Sequence, residues 1–208
     1  MADTREKLLA GALETVRERG IAGTSARAVA NTAGVNQALV FYHFGSMDDL
    51  LAAALRHGAE QQVARYRSHF ARVTSIGGLV ELSRVLRADE EAERNMTVLA
   101  QLLAGGRANP RLREATAQGL DLWVAELRPV LRRVLANTPL GEFVDTDGLA
   151  RVLAASFIGL DLYGGVDETS AARATQSLEQ FAVLLTALDD LGPVVRRAVR
   201  ARLRRTGR

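Results

Sequence analysis

Apolar positions recur at three- and four-residue spacing through most of the chain, and the elements they predict are helices. Leu8, Leu9, Ala12, Leu13 and Val16 form one stripe over residues 4–19, with Arg5, Glu6, Lys7, Glu14 and Arg17 facing water. Ala26, Val29, Ala30 and Ala33 give a short second helix a slim apolar face, and Thr24 is its expected N-cap. Gly34 supplies a left-handed turn, Val35 plugs the angle, and Asn36 caps a third helix over residues 37–44. In that helix Val40 and Phe44 share one side with Phe41 at its edge, while Ala38, Leu39, Tyr42 and His43 take the other. Gly45 ends it. Ser46 caps a fourth helix from Met47 to about Val73, with Asp48 and Asp49 in the turn where the helix dipole favours acids.

Residues 75–190 also read as helix, with no strand pattern long enough to trust. Gly77-Gly78 is the first expected interruption, and Gly105-Gly106 stops a helix carrying Met96, Val98, Leu99, Leu102 and Leu103. Asn109-Pro110 opens the next one as N-cap and first residue, and Pro129 is expected to kink or end it. Residues 137–141 read as a turn. Residues 149–163 are apolar on nearly every side, which calls for cover on every side. Residues 177–191 carry Leu178, Phe181, Leu185 and Leu188 in a seam spaced like a helical-pair contact. The fold class is therefore all-α: a three-helix helix-turn-helix domain at 1–50 and a larger helical domain at 51–208, whose last stretch, 192–208, is a basic helix or tail.

Five features in fixed order make the first 55 residues specific: Gly20, Thr24-Ser25-Ala26-Arg27, Ala33-Gly34-Val35, Tyr42-His43-Phe44, and Gly45-Ser46 leading to Leu50. With this spacing the segment resembles the DNA-binding domain of the tetracycline-repressor (TetR) family. The resemblance implies a sequence-specific DNA-binding transcriptional regulator, a repressor released from a palindromic operator by a small molecule. The candidate DNA-binding residues are Thr24, Ser25, Arg27, Asn36, Gln37, Ala38, Leu39, Tyr42, His43 and Met47. Gln37 at the helix start suits a base edge, an amide pairing best with adenine, and Leu39 suits a thymine methyl. Tyr42 and His43 match positions that face bases and backbone in the family, and Thr24, Ser25 and Arg27 match phosphate contacts. Many relatives have Tyr where Phe41 stands and Lys where Met47 stands, so two usual phosphate contacts are missing. Arg27, Arg5 and the cap amides near Ser46 are left to carry more of the binding. The rival reading is a helical interaction protein whose helix-turn-helix no longer binds DNA, with Phe41 and Met47 as marks of decay.

The same resemblance implies a homodimer through the last two main helices, with Leu153, Leu160, Leu178, Phe181, Leu185 and Leu188 at the interface. It also implies a ligand pocket, for which Leu99, Leu103, Trp123, Leu127, Phe157, Asp161 and Tyr163 are the candidates. Large apolar side chains with a few polar tips line small-molecule sites and ordinary cores alike. Asp161, an acid in an apolar stretch, suits a cationic or hydroxylated ligand, an arginine across a dimer, or solvent.

Charge changes the picture little. The net +3 conceals a tail with seven arginines and no acid at 192–208, so the preceding 191 residues carry −4. Residues 21–47 hold one arginine and no acid, which suits a surface meeting phosphates. Without cysteine there is no disulfide and no thiol chemistry, and no metal site is expected: His57 and His69 are twelve apart, too far for a helical ligand pair. No cofactor is expected. No phosphate-cradling glycine loop, ordered nucleophile or paired catalytic acids are present, so an enzyme is not expected either. The longest apolar run is broken by Arg151, Ser156 and Asp161, and residues 1–19 are charged and helix-periodic, so the expectation is a cytoplasmic protein with no membrane partner.

Overall fold

In a computed structural model, the chain forms nine α-helices among the described residues, which are 2–93, 95–136, 138, 141–189, 197–198 and 201–202; the side chains of 2, 90–95, 188 and 189 are not described. They are α1 (Ala2–Arg19), α2 (Ala26–Ala33), α3 (Ala38–Phe44), α4 (Met47–Arg72), α5 (Ile76–Glu93), α6 (Asn95–Gly105), α7 (Pro110–Leu135), α8 (Thr146–Gly164) and α9 (Glu168–Asp189). No strand occurs among the described residues. The chain packs as two units, Met1–Arg65 with Glu90–Trp123, and Tyr66–Asp89 with Val124–Arg208. These lines differ from a boundary at residue 50. The reason lies in the first unit's core, where Val98 and Leu102 of α6 and Leu112 of α7 are buried with Leu8, Leu9, Val29, Val40 and Leu50.

Caps and close approaches shape the first unit. The N-cap of α2 is Ser25, not Thr24: Ser25 Oγ accepts from Ala28 N at 3.2 Å, while the Thr24 hydroxyl donates back to Gly20 O at 2.7 Å. Gly34 has φ 66°, the left-handed conformation that a side chain disfavours. At Gly11 a Cβ would stand 2.9 Å from that of Ala33, so the absence of a side chain is what lets α1 and α2 approach this closely. Buried Thr15 answers its own polarity there, its hydroxyl lying 2.6 Å from Gly11 O and 3.1 Å from Thr32 Oγ1.

In the second unit, Val124, Leu131 and Ala150 are buried together with Leu79, Leu127, Leu149, Leu153 and Ala154 packed around them. Arg133 closes the end of α4 by donating to Val73 O at 2.7 Å and to Phe70 O at 2.8 Å, the latter also accepting from Val73 N at 3.3 Å. Sequence expectations are corrected here for local reasons. Gly77-Gly78 does not interrupt a helix but lies in the first turn of α5, whose Ser75 accepts from Gly78 N at 3.1 Å. Of the two effects expected of Pro129, it does not end α7; it and Ala125, whose carbonyl loses its donor, both sit on an exposed side open to solvent. The last helix starts at Glu168, well before 177. The expected 137–141 turn is described only at Thr138 and Gly141. Most of the 192–208 tail lies outside the described residues; of it, 197–198 and 201–202 are helical and exposed.

Candidate nucleic-acid interface

The turn that presents α3 is built from short-range hydrogen bonds. Asn36 Oδ1 accepts from Ala38 N at 2.8 Å, which caps the helix as expected and leaves the Asn36 amide nitrogen as a donor. Gln37 is already in helical conformation, exposed, with no capping bond from its side chain. At the far end Gly45, φ 77°, closes α3, and Ser46 then starts α4. Ser46 Oγ accepts from Asp49 N at 3.1 Å and donates to Asp49 Oδ2 at 2.6 Å.

Packing decides which way α3 faces. Val40 is fully buried, and Phe44 and Leu39 are half-buried against the same core. His43 is half-buried, its ring meeting Tyr42 edge-on at 5.0 Å. What points outward is Gln37, Ala38, Phe41 and Tyr42, with Phe41 48% and Tyr42 72% exposed. The outward face is therefore turned by about one residue, roughly 100°, from Ala38, Leu39, Tyr42 and His43. Leu39 gives up part of its outward position to the core. Phe41, assigned by periodicity to the edge of the inward side, is out in solvent.

The other sequence candidates divide likewise. Ser25 and Arg27 are exposed, and Arg27 has no ion-pair partner among the described residues. Thr24 is half-buried with its hydroxyl proton committed to Gly20 O. Met47 is half-buried and packs on the core. The nearest acids follow in α4. The Ser46 hydroxyl first, and then the Arg111 guanidinium at 2.5 Å, hold the Asp49 carboxyl below its ordinary range. Its negative charge is thus offset by an arginine of α7. Among the described residues, no group of three or more His, Asp and Glu could hold a metal ion.

The candidate ligand residues fall in both units. Leu99 and Trp123 are half-buried and Leu103 exposed in the first. In the second, Leu127, Phe157 and Asp161 are half-buried and Tyr163 exposed, with the Arg87 guanidinium 5.5 Å from the Phe157 ring centre. A groove of about 660 Å³ in the second unit, bordered by Val80, Arg84, Gln176, Glu179 and Val183, includes none of the seven. Of the candidate interface residues, Leu178, Phe181 and Leu185 are exposed, and Leu153 and Leu160 half-buried. The Leu188 side chain lies outside the described residues. Exposed Val152 and Leu184, which the seam spacing passed over, add to this apolar surface. No helix among the described residues is long and apolar enough to cross a membrane.

Comparison with known proteins agrees with this geometry. The family of bacterial regulatory proteins named tetR matches residues 8–54, from the α1 stripe through the first turns of α4. The chain is 26% identical over 178 residues to the HTH-type transcriptional repressor AcnR of Corynebacterium glutamicum, covering 86% of this chain and 88% of that one. It superposes on a TetR-family transcriptional regulator from Rhodococcus sp. with a TM-score of 0.72 at 25% identity, covering 89% of this chain and 99% of that one. It also matches the multidrug binding protein EbrR, solved with proflavin, at TM-score 0.59 and 26% identity over 85% of this chain and 98% of that one. Nothing in these likenesses favours a helix-turn-helix that has lost its DNA. With its capped turn and its acid-free strip, residues 8–54 match the tetR family's model, and the chain's likenesses to regulators of that kind support a DNA-binding transcriptional regulator.

Proposed function

We propose that the protein represses transcription as a homodimer on a palindromic operator and is released from it by a small molecule. The observation that carries this reading is the outward strip of α3, where Gln37, Ala38, Phe41 and Tyr42 are exposed while Val40 and Phe44 hold the helix to its core. Gln37 and Tyr42 reach bases, His43 braces Tyr42 from the side, and Ser25 and Arg27 bind phosphate. Repression is supported by the relative named a repressor. One seven-residue helix reads only a few base pairs, so selectivity requires two copies and a two-fold site. Bare Leu178, Phe181, Leu184 and Leu185 on α9 support pairing of two chains there.

An effector is supported by EbrR, which was solved with proflavin. In this chain Phe157, Asp161 and Tyr163 offer α8 aromatic rings and a carboxylate for a ligand of that kind. It would act by favouring a dimer whose two recognition helices no longer match the operator spacing. The reading assigns the protein to the cytoplasm, with its DNA, and assigns it no catalysis.

The test uses a labelled palindrome selected from random duplexes by the wild-type protein. Wild type should shift it, and a Tyr42→Ala, His43→Ala double variant that still melts cooperatively should not. A protein that selects no duplex, or a clean monomer at micromolar concentration that still binds one operator fully, would sink the reading.

A further inference from the structure

We infer that Arg5, on the first turns of α1, is a DNA phosphate-binding residue held ready by the ring of Phe44. The inference rests on the reading of the α3 strip as the surface that enters the groove. A duplex groove has a phosphate wall on each side, yet residues 21–47 offer one cation, Arg27. The charges of α1 are mostly spent: Lys7 pairs with Asp3 at 2.7 Å and Arg17 with Glu14. Arg5 and Arg19 have no carboxylate partner among the described residues, and Arg19 stands about 21 Å further along the helix.

Arg5 is not merely unpaired; it is positioned. Its guanidinium carbon lies 5.2 Å from the centre of the Phe44 ring, within the range of a cation–π contact. Phe44 is half-buried in the core, so the ring is a fixed platform for an exposed cation. Phe44 lies one turn beyond exposed Phe41 on a neighbouring part of the helix surface, so the guanidinium sits by the Phe41 end of the outward strip. The ring contact uses none of the guanidinium's hydrogen bonds, which leaves its N–H groups for phosphate oxygens. An arginine held over a ring also loses less side-chain entropy when it binds than one moving freely.

Operator affinity is measured against salt for wild type, Arg5→Gln, Arg5→Lys and Phe44→Leu, on the duplex selected by the wild-type protein. Arg5→Gln should bind more weakly on every sequence variant alike, with the slope of log affinity against log salt smaller by about 0.9 per protomer. Arg5→Lys should keep the wild-type slope, and Phe44→Leu should weaken binding with the slope unchanged. A neutral methylphosphonate at the phosphate Arg5 meets should cost wild type affinity and Arg5→Gln none. Arg5→Gln with wild-type affinity and slope overturns the inference and leaves the DNA-binding reading intact. So does equal loss in Arg5→Gln and Arg5→Lys with no change of slope, which marks a packing role. Failure of the wild type to select any duplex overturns both.

Discussion

Asp49 shows how a single side chain serves two neighbours. It answers the α4 N-terminus through Ser46 and meets Arg111 of α7 at 2.5 Å, all within the first unit. Three other carboxyls are also held below their ordinary range: Glu179 first by Arg84, Asp147 first by Arg151, and Asp167 by the Ser170 backbone N–H. Each binds a proton more readily when the chain unfolds, so acid favours the unfolded state. Their stabilisation is complete above the unfolded carboxylate values, about pH 4, and is lost as pH falls through the lower folded ones. The melting temperature should therefore fall below about pH 4, and less so in Asp49→Asn. All four lie in contact with solvent, so the loss should be small and reduced further by salt. An Asp49→Asn melt that tracks wild type through the acid range would count against the role given to this carboxyl.

At the scale of the element, the question is how a seven-residue helix holds its direction. Isolated, so short a helix would not persist in water; α3 is ordered by its caps and by the side it buries. Periodicity found the inward pair Val40 and Phe44 but put the outward face about 100° from where it lies, because Leu39 packs partly on the core and His43 is half-buried, which a lone cylinder does not show. Leu50, fully buried in the first turn of α4, packs in the same core. Leu50→Ala should cost roughly 2–5 kcal/mol in denaturant unfolding. It should also weaken operator binding without changing base preference, since it loosens the support and touches no base. Unchanged stability in that variant would mean the core closes over the gap, and that α3 is held by its caps alone.

For the whole molecule, the phosphate contacts set how binding responds to salt. Phe41 has no hydroxyl and Met47 no ammonium, leaving Arg27 and Arg5 in each protomer. Four such contacts in a dimer give a slope of log affinity against log salt of roughly −4. A slope steeper than about −6 on the selected operator would show cations that this accounting has missed, the arginines of the 192–208 tail first among them. The packing of Val98, Leu102 and Leu112 into the helix-turn-helix core also means that the DNA-binding domain does not end where its motif does. Truncation at residue 50 would strip that core of five buried side chains, these three together with Leu51 and Ala54 of α4.

What the sequence by itself determined is local. Gly34 and Gly45 mark the ends of α2 and α3, Asn36 and Ser46 cap the helices that follow, and Asn109-Pro110 opens α7, because each depends on backbone conformation and hydrogen bonds spanning at most four residues. The tetR motif was legible for the same reason, since its parts lie within 30 residues of one another. Only the tertiary structure decided the rotation of α3, the exposure of Phe41, the placing of Arg5 over the Phe44 ring, and the membership of α6 in the first core. Those depend on which distant side chains arrive to cover an apolar face, and spacing along one helix carries no record of its neighbours.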